Sequence, residues 1–189
     1  IGTGAAGGVV MKELATRGLK VVALEMGPWL KTRDYVQDEL KSHHLRGLIK
    51  YDQPNTYRQM ADEDAAAMYS INMQANVGGS TIHYTGISWR FHESDFKERS
   101  TFGAVEGADV RDWPVDYWDL EPYYEKAEYE IGVSGLAGAN PFDSPRRRAY
   151  PMPPVTRKAS GAISDDAAKK LGWHSYPTPM AILTENYDG

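Results

Sequence analysis

The chain has no cysteine among its 189 residues. This absence excludes disulfides, thiolate metal sites and cysteine nucleophiles within the stretch, but it leaves the cellular compartment open. Apolar runs of the ~18 residues that a membrane-spanning helix requires are also lacking, and no signal peptide is visible. Low-complexity segments are absent too, whereas 41% hydrophobic and 11% aromatic residues indicate a globular core.

An excess of positive charge is a further absence, since the formal net charge is -5. We therefore expect no nucleic acid as a partner. The short basic run from Arg146 to Arg148 follows Pro145 in a predicted loop. We interpret this run as a solvated surface patch.

A glycine-rich turn opens the chain. It reads Gly2-Thr3-Gly4-Ala5-Ala6-Gly7, and the hydrophobic stretch that follows ends on Glu25, about the ~20-residue lag of a dinucleotide fingerprint. Gly2 permits a tight turn, Gly4 lets the backbone approach a pyrophosphate, and Gly7 lets a helix pack closely on a sheet. The pattern predicts a dinucleotide site, with the phosphates on the helix amides and Glu25 accepting from a ribose hydroxyl.

The elements around this turn can be predicted from the same stretch. A helix begins after Gly7 and ends at Gly18, and a strand follows from Lys20 to Glu25. Ile1 would be the last residue of the strand that precedes the turn. We therefore expect that the first strand is missing and that these residues belong to a longer polypeptide. The lack of a visible signal peptide then says little about targeting.

Residues 31–69 form a polar, irregular region that we interpret as an insertion between sheet elements. Such an excursion is either a functional lid or docking surface or a merely structural loop, and the sequence leaves both open. The adjacent pair His43 and His44 lies in it. Adjacent side chains point to different faces of a helix or strand, so we expect no metal site here.

A second glycine run, Gly78-Gly79-Ser80-Thr81, precedes Ile82, His83 and Tyr84. Two glycines let the backbone approach a flat or anionic ligand, and the two hydroxyl groups can donate hydrogen bonds. The run predicts a second contact with the cofactor. By itself it is equally compatible with a glycine-rich hairpin loop.

Two helices are predicted in the second half of the chain. The first begins at Asp119 as N-cap and ends at Gly132, with an apolar packing face formed by Leu120, Tyr123, Tyr124, Ala127 and Ile131. The second spans Ala159 to Leu171 and ends at Gly172. A strand of a further domain is expected from Gly172 to Tyr176.

These stretches resemble the glucose–methanol–choline family of flavin oxidoreductases. The turn from Gly2 to Pro28 resembles its FAD-binding unit, the double-glycine run resembles its second flavin signature, and the stretch from Asp112 to Gly135 is a third match. The resemblance implies an α/β fold with a Rossmann-like FAD-binding domain. It assigns residues 1–30 and 70–135 to that domain, 31–69 to the insertion, and 136–189 to a linker and the start of an α+β substrate domain.

The position of His83 narrows the resemblance to one branch, that of the gluconate, fructose and glucose dehydrogenase large subunits and the pyranose and glycoside oxidases. In pyranose oxidases the matching histidine is bonded covalently to the flavin. His83 is therefore expected to be a covalent attachment site, a flavin contact or a hydrogen-bonded core residue, and Thr85 to lie near the reactive flavin edge. The implied cofactor contacts are Gly2, Gly4, Ala6, Gly7, Glu25, Gly78, Gly79, Ser80, Thr81, His83 and Thr85.

The resemblance implies hydride transfer from a sugar, sugar acid or polyol to FAD. The family's catalytic histidine and its asparagine or histidine partner lie near the C-terminus of a much longer chain, so no catalytic residue is assigned here. Electrons would pass to a cytochrome or quinone, with a cytochrome, a small subunit and the rest of the chain as partners, in the periplasm or at a membrane through a partner. The alternatives are an oxygen-using oxidase that makes hydrogen peroxide and a non-catalytic flavin-fold piece.

Overall fold

The computed structural model describes residues 2–35, 38, 40, 55–68 and 75–188. The chain divides into two compact units, Ile1–Tyr84 and Thr85–Gly189. The α-helices are α1 (Ala5–Thr16), α2 (Glu98–Phe102), α3 (Tyr117–Ile131) and α4 (Ala159–Lys170), and the strands are β1 (Asn55–Tyr57) and β2 (Ala66–Met68). Among the described residues, 3-10 helices span Thr32–Asp34, Gly79–Ile82 and Glu93–Phe96.

Helix α1 confirms that a helix follows the first glycine turn and ends before Gly18, but it begins at Ala5 and not after Gly7 as predicted. Gly4 is its N-cap, and the chain leaves it through Gly18 at a φ of +83°. No residue of α1 is buried, and Val9 and Val10 are 60% and 56% exposed. The helix is therefore set by its local sequence and its caps more than by apolar packing within the described residues.

Residues 20–25 do not form the predicted strand. The amide of Gly2 donates to the carbonyl of Leu24 at 2.7 Å, but no ladder of such bonds continues along this segment in the described part of the chain. A strand requires hydrogen bonds to a neighbouring strand along its length, and this segment has no such neighbour among the described residues. The Rossmann-like fold and the domain boundaries expected from the sequence stay predictions.

In the region expected to be an insertion, β1 and β2 pair antiparallel, with Asn55 opposite Met68 and Tyr57 opposite Ala66. His43 and His44 lie outside the described residues. The choice between a lid and a structural loop stays open.

Helix α3 starts one turn earlier than the sequence suggested. Asp116 is the N-cap, and it forms a reciprocal capping box in which the Asp119 amide donates to Asp116 Oδ1 at 3.0 Å and the Asp116 amide to Asp119 Oδ2 at 2.9 Å. The assignment of Asp119 as N-cap is therefore wrong, because Asp119 occupies the third helical position of the box. Gly132 ends the helix in the left-handed conformation, as predicted.

The predicted packing face of α3 is also wrong. Tyr123 and Ile131 are 68% and 55% exposed, whereas Tyr117, Glu121 and Glu128 are buried. These three residues share one face of the helix, because their spacings of four and seven positions match its period. The helix buries carboxylates because a cation lies against them.

That cation is Arg90, whose side chain is 6% exposed. Its Nε and Nη2 donate to the two oxygens of Glu128 at 2.8 and 2.7 Å, and its Nη1 donates to the Tyr117 hydroxyl at 3.0 Å and to Glu121 Oε1 at 3.2 Å. Burial alone would lower the pKa of Arg90, but the hydrogen bonds to Glu128 and Tyr117 outweigh it and raise the pKa. Arg90 therefore stays charged and fixes α3 to the segment that follows the second glycine run.

The basic run from Arg146 to Arg148 pairs with the same helix. Its ion pairs are Arg146 with Glu128 at 3.0 Å, Arg147 with Glu121 at 3.2 Å, and Arg148 with Glu125 at 3.5 Å. Arg146 is 11% exposed and its guanidinium lies 3.7 Å from the centroid of the Tyr150 ring. The interpretation of this run as a solvated surface patch is wrong for Arg146, whereas Arg147 and Arg148 are 59% and 56% exposed, as that interpretation expects. All three charges pair with the acidic face of α3.

The rest of the second unit packs around Phe96, Tyr117, Val133 and Met152. The strand predicted from Gly172 to Tyr176 is absent, and isolated bridges instead join Met180 to Ile87 and to Ser134. Backbone pairing therefore begins a few residues later than the pattern indicated.

Helix α4 confirms the last helix predicted from the sequence. It spans Ala159–Lys170, and Gly172 follows it at a φ of +71°. None of the helices in the described ranges is both long and apolar enough to cross a bilayer.

Replacing Arg90 by methionine should destabilise the second unit by about 3 kcal/mol or more, because Glu121 and Glu128 would keep their buried charges without their main partner. The measurement is urea-induced unfolding of the full-length protein, followed by tryptophan fluorescence. Arg111→Met is the matched control, since Arg111 pairs with Asp109 in solvent and its loss should cost less than about 1 kcal/mol. Equal losses for the two variants would contradict the role assigned to Arg90.

Candidate functional site

The first glycine turn has the geometry of an anion site. Gly2 has a φ of +73°, and neither Gly2 nor Gly4 has any atom within 4 Å of the position that a Cβ would take. Ala5, Ala6 and Gly7 form the first turn of α1, where amides have no intrahelical acceptor. No acidic residue lies in that turn. The first-turn amides at the positive end of the helix dipole therefore have no acidic side chain of their own turn as a partner.

Glu25 is held by this turn through both carboxylate oxygens. Oε2 accepts from the Thr3 amide at 2.8 Å and from the Thr3 hydroxyl at 2.9 Å, and Oε1 accepts from the amides of Met26 and Gly27 at 2.9 and 3.0 Å. The backbone bonds from Thr3 and Gly27 and the bond from the Thr3 hydroxyl lower the pKa of Glu25 to about 2. The carboxylate is thus ionised across the physiological range.

These four bonds bear on the predicted ribose contact of Glu25. An ionised carboxylate offers about four lone-pair sites, so a ribose hydroxyl would share or replace one of the present donors. The structure shows Glu25 as the residue that joins the glycine turn to the end of the following segment. The ribose contact stays a prediction.

The two glycine runs meet in the first unit. The Gly78 amide donates to the Thr3 hydroxyl at 3.2 Å across 75 positions of sequence. A Cβ on Gly79 would lie 3.1 Å from the Cα of Gly4, and Gly79 has a φ of +61°. The two glycine runs, each predicted from the sequence to contact the cofactor, therefore lie against each other. A side chain at Gly79 would push the two backbone segments apart.

Two further residues, which no sequence motif marks as site residues, support this contact. Asn76 is 2% exposed, and its Nδ2 donates to the carbonyls of Val77 and Gly79 at 3.0 and 3.2 Å. A Cβ on Gly27 would lie 2.0 Å from the carbonyl oxygen of Ala75. The adjacency of Asn76 to the double glycine was the available signal, whereas no sequence pattern marks the close approach at Gly27.

The second run forms a 3-10 helix, Gly79–Ile82, so the alternative of a hairpin loop is wrong. The Thr81 hydroxyl donates to the carbonyl of Gly78, and the side chains of Ser80 and Thr81 are exposed. An amide-rich turn entered through Gly78 at a φ of +92° cannot continue as a strand. Both hydroxyl residues lie on the surface of the turn.

His83 is half-buried and follows this 3-10 helix directly. Its imidazole lies against the ring of Tyr35, with centroids 6.4 Å apart and planes 19° from parallel. The stack restricts the plane of the imidazole. Whether His83 contacts or binds a flavin stays a prediction, and so does the role of Thr85, which is exposed at the start of the second unit.

The described residues fit a dinucleotide cofactor. The candidate cradle is formed by the open space above Gly2 and Gly4, by the amides at the start of α1, and by Gly79, which lies close to Gly4. A Cβ at any of these glycines would occupy part of that space. The residues that would hold the phosphates are Gly4, Ala5, Ala6 and Gly7. No cluster of three or more histidine, aspartate or glutamate side chains able to hold a metal occurs in the described residues.

No family model matches the chain. It is 34% identical over 191 residues to a 2-methyl-1,2-propanediol dehydrogenase from Mycolicibacterium austroafricanum, covering 100% of the chain and 34% of that relative. It is 30% identical over 207 residues to the fructose dehydrogenase large subunit of Gluconobacter japonicus, covering 100% of the chain and 37% of the relative.

A gluconate 2-dehydrogenase flavoprotein from Pantoea cypripedii is 30% identical over 216 residues, with 99% of the chain and 35% of that relative covered. Two Streptomyces proteins named as oxidases are each 32% identical to the chain. The chain thus spans about a third of the length of the curated relatives it matches. These relatives are named as oxidoreductases of polyols, sugars and sugar acids, and the chain is similar to that group along its whole length.

Proposed function

We propose that the chain belongs to an FAD-dependent dehydrogenase that oxidises a hydroxyl group of a sugar, a sugar acid or a polyol. The contact between the two glycine runs carries this proposal. A nicotinamide enzyme needs the first run alone, whereas a second glycine turn pressed against it suits a larger cofactor that spans both. The name of the gluconate 2-dehydrogenase flavoprotein supports a flavin in one relative.

Each part of the cradle has a distinct task in this proposal. Gly4, Ala5, Ala6 and Gly7 would bind the pyrophosphate through backbone amides, and Glu25 would order the turn and reach a ribose hydroxyl. The surface formed by Gly78, Gly79, Ser80 and Thr81 would lie along the rest of the dinucleotide, with His83 and Thr85 toward the flavin. A Rossmann-like domain made from residues 1–30 and 70–135 would hold these parts.

FAD, when bound, supplies the hydride acceptor for the substrate carbon. A base removes the hydroxyl proton, and we assign that base to residues outside this chain. The names of the fructose dehydrogenase large subunit and of the gluconate flavoprotein support a complex with further subunits. We extend this to a cytochrome or quinone as electron acceptor, and to a periplasmic or membrane-associated location through that partner.

An oxygen-using oxidase is the second candidate, because two of the relatives are named as oxidases. Substrate-dependent hydrogen peroxide production in air, in the absence of another acceptor, would favour this candidate. Reduction of a quinone or cytochrome without peroxide would favour the dehydrogenase.

The purified full-length protein should show the absorption bands of an oxidised flavin. After acid precipitation, yellow colour in the pellet would indicate covalent flavin, and His83→Ala should then release it to the supernatant. Colour released from the wild-type protein would leave His83 as a contact only. No flavin band at all would contradict the proposed function and favour a non-catalytic flavin-fold piece.

Gly79→Ala should weaken FAD binding at least about tenfold, because the added methyl group would meet the Gly4 backbone at 3.1 Å in a left-handed conformation. Reconstitution of the apoprotein with FAD measures the affinity. Gly18→Ala is the matched control, since Gly18 also has a positive φ but has open space around it. It should cost about 1 kcal/mol of stability and leave FAD affinity unchanged. Equal FAD affinities of the two variants would contradict the cradle.

Glu25→Gln should weaken FAD retention at neutral pH, because the amide cannot accept the four bonds of the carboxylate. The pKa of Glu25 is lower in the fold than its usual value of 4.5, so its stabilising effect is complete above that pH. The effect declines as the pH falls from about 4.5 to about 2. The difference in stability between the wild-type protein and the variant should therefore shrink over that range in urea unfolding, whereas Glu106→Gln, at an exposed loop position, should show no such difference.

A further inference from the structure

Thr3 occupies a variable position of the first glycine turn, between Gly2 and Gly4, and no role follows for it from the fingerprint. Its side chain is nevertheless the link between the three parts of the candidate site. The hydroxyl lies 2.9 Å from Glu25 Oε2 and 3.2 Å from the Gly78 amide nitrogen. The backbone amide of Thr3 donates to the same Glu25 oxygen at 2.8 Å.

The chemistry of the partners fixes the direction of both side-chain bonds. An ionised carboxylate only accepts, so the single hydroxyl hydrogen of Thr3 points to Glu25. An amide only donates, so Gly78 donates to a lone pair of the hydroxyl oxygen. The two bonds therefore form a chain, in which the Gly78 amide donates to the Thr3 hydroxyl and the Thr3 hydroxyl donates to the Glu25 carboxylate. The negative charge of Glu25 strengthens both hydrogen bonds.

We propose that Thr3 is a positioning residue that holds the second glycine turn against the first, with the Glu25 carboxylate as its anchor. The next residue, Gly79, lies so close to Gly4 that an added Cβ would have a 3.1 Å contact. A tether at Gly78 therefore sets the separation of the two backbone turns on which a dinucleotide would rest. This inference rests on the proposed function, since the cradle is positioned for FAD.

The hydroxyl can be tested separately from the shape of the side chain. Thr3→Val keeps the branched shape and removes the hydroxyl, whereas Thr3→Ser keeps the hydroxyl. Thr16→Val is the matched control, because among the described residues the Thr16 hydroxyl bonds to the Lys12 and Glu13 carbonyls of its own helix. The experiment measures FAD affinity of the full-length apoproteins by fluorescence, the melting temperature of each apoprotein, and the pH of half-release of FAD.

Thr3→Val should weaken FAD binding about tenfold or more, because one bond to a charged group and one to an amide are lost together. Thr3→Ser and Thr16→Val should remain within about threefold of the wild-type affinity on the same scale. The pH of half-release should rise in Thr3→Val and stay unchanged in Thr3→Ser, since the Thr3 hydroxyl is one of the groups that keep the pKa of Glu25 low. If Thr3 had a merely structural role, Thr3→Val would lower the melting temperature, and Thr3→Ser would not restore the pH of half-release of FAD.

Equal FAD affinities of Thr3→Val and Thr3→Ser would overturn the inference while leaving the proposed function intact. Absence of FAD binding by the wild-type protein would overturn the proposed function. The two failures are distinguishable, because the first is seen by comparing variants and the second in the wild-type protein alone. Should Thr3→Val fail to fold, Thr3→Ala and Thr3→Ser form a second pair that differs by one oxygen atom. Equal affinities within that pair would also overturn the inference.

Discussion

Contact between backbones at positions without a side chain is the constraint on which the first unit depends. Gly79 lies against Gly4, and Gly27 lies against the carbonyl of Ala75. Any Cβ at Gly27 would overlap that carbonyl at 2.0 Å, so the two chain segments approach only because glycine is present. Once they meet, buried Asn76 satisfies the carbonyls of the second turn. The same closeness gives two separate glycine runs one shared surface.

Charge has the corresponding role in the second unit. Helix α3 buries Glu121 and Glu128, and Arg90 and the run from Arg146 to Arg148 supply the cations. Glu121 is fully buried, and its Oε2 has no hydrogen bond among the described residues although Arg147 Nε lies 3.2 Å away. Desolvation raises the pKa of Glu121, but the Arg147 amide and Arg90 outweigh it and lower the pKa. Such a network gives geometric definition more than net stability, since buried ions are costly to desolvate.

That network and a set of backbone bonds also hold the segment from Thr85 to Arg90 within the second unit. Arg90 follows the second glycine run by a few positions, and the segment before it pairs with residues 179–181, where the Ala181 amide donates to the Gly86 carbonyl at 2.6 Å and the Ser88 amide donates to the Pro179 carbonyl at 2.9 Å. The segment that carries Thr85 is thus held at one end by backbone bonds and at the other by buried ion pairs. A residue in such a segment is pre-ordered before any ligand arrives.

The sequence by itself determined the local features: glycine placed the ends of α1, α3 and α4, and the spacing of Gly2, Gly4, Gly7 and Glu25 marked the turn that we propose as a phosphate site. Those features depend on φ angles and orphan amides within a few residues, which the local sequence dictates. Tertiary structure alone decided the buried face of α3, because the burial of Glu121 and Glu128 is favourable only with Arg90 located 31 and 38 positions away. It also decided the link from Gly78 through Thr3 to Glu25, since hydrogen bonds across 75 and 22 positions leave no periodic pattern in the chain.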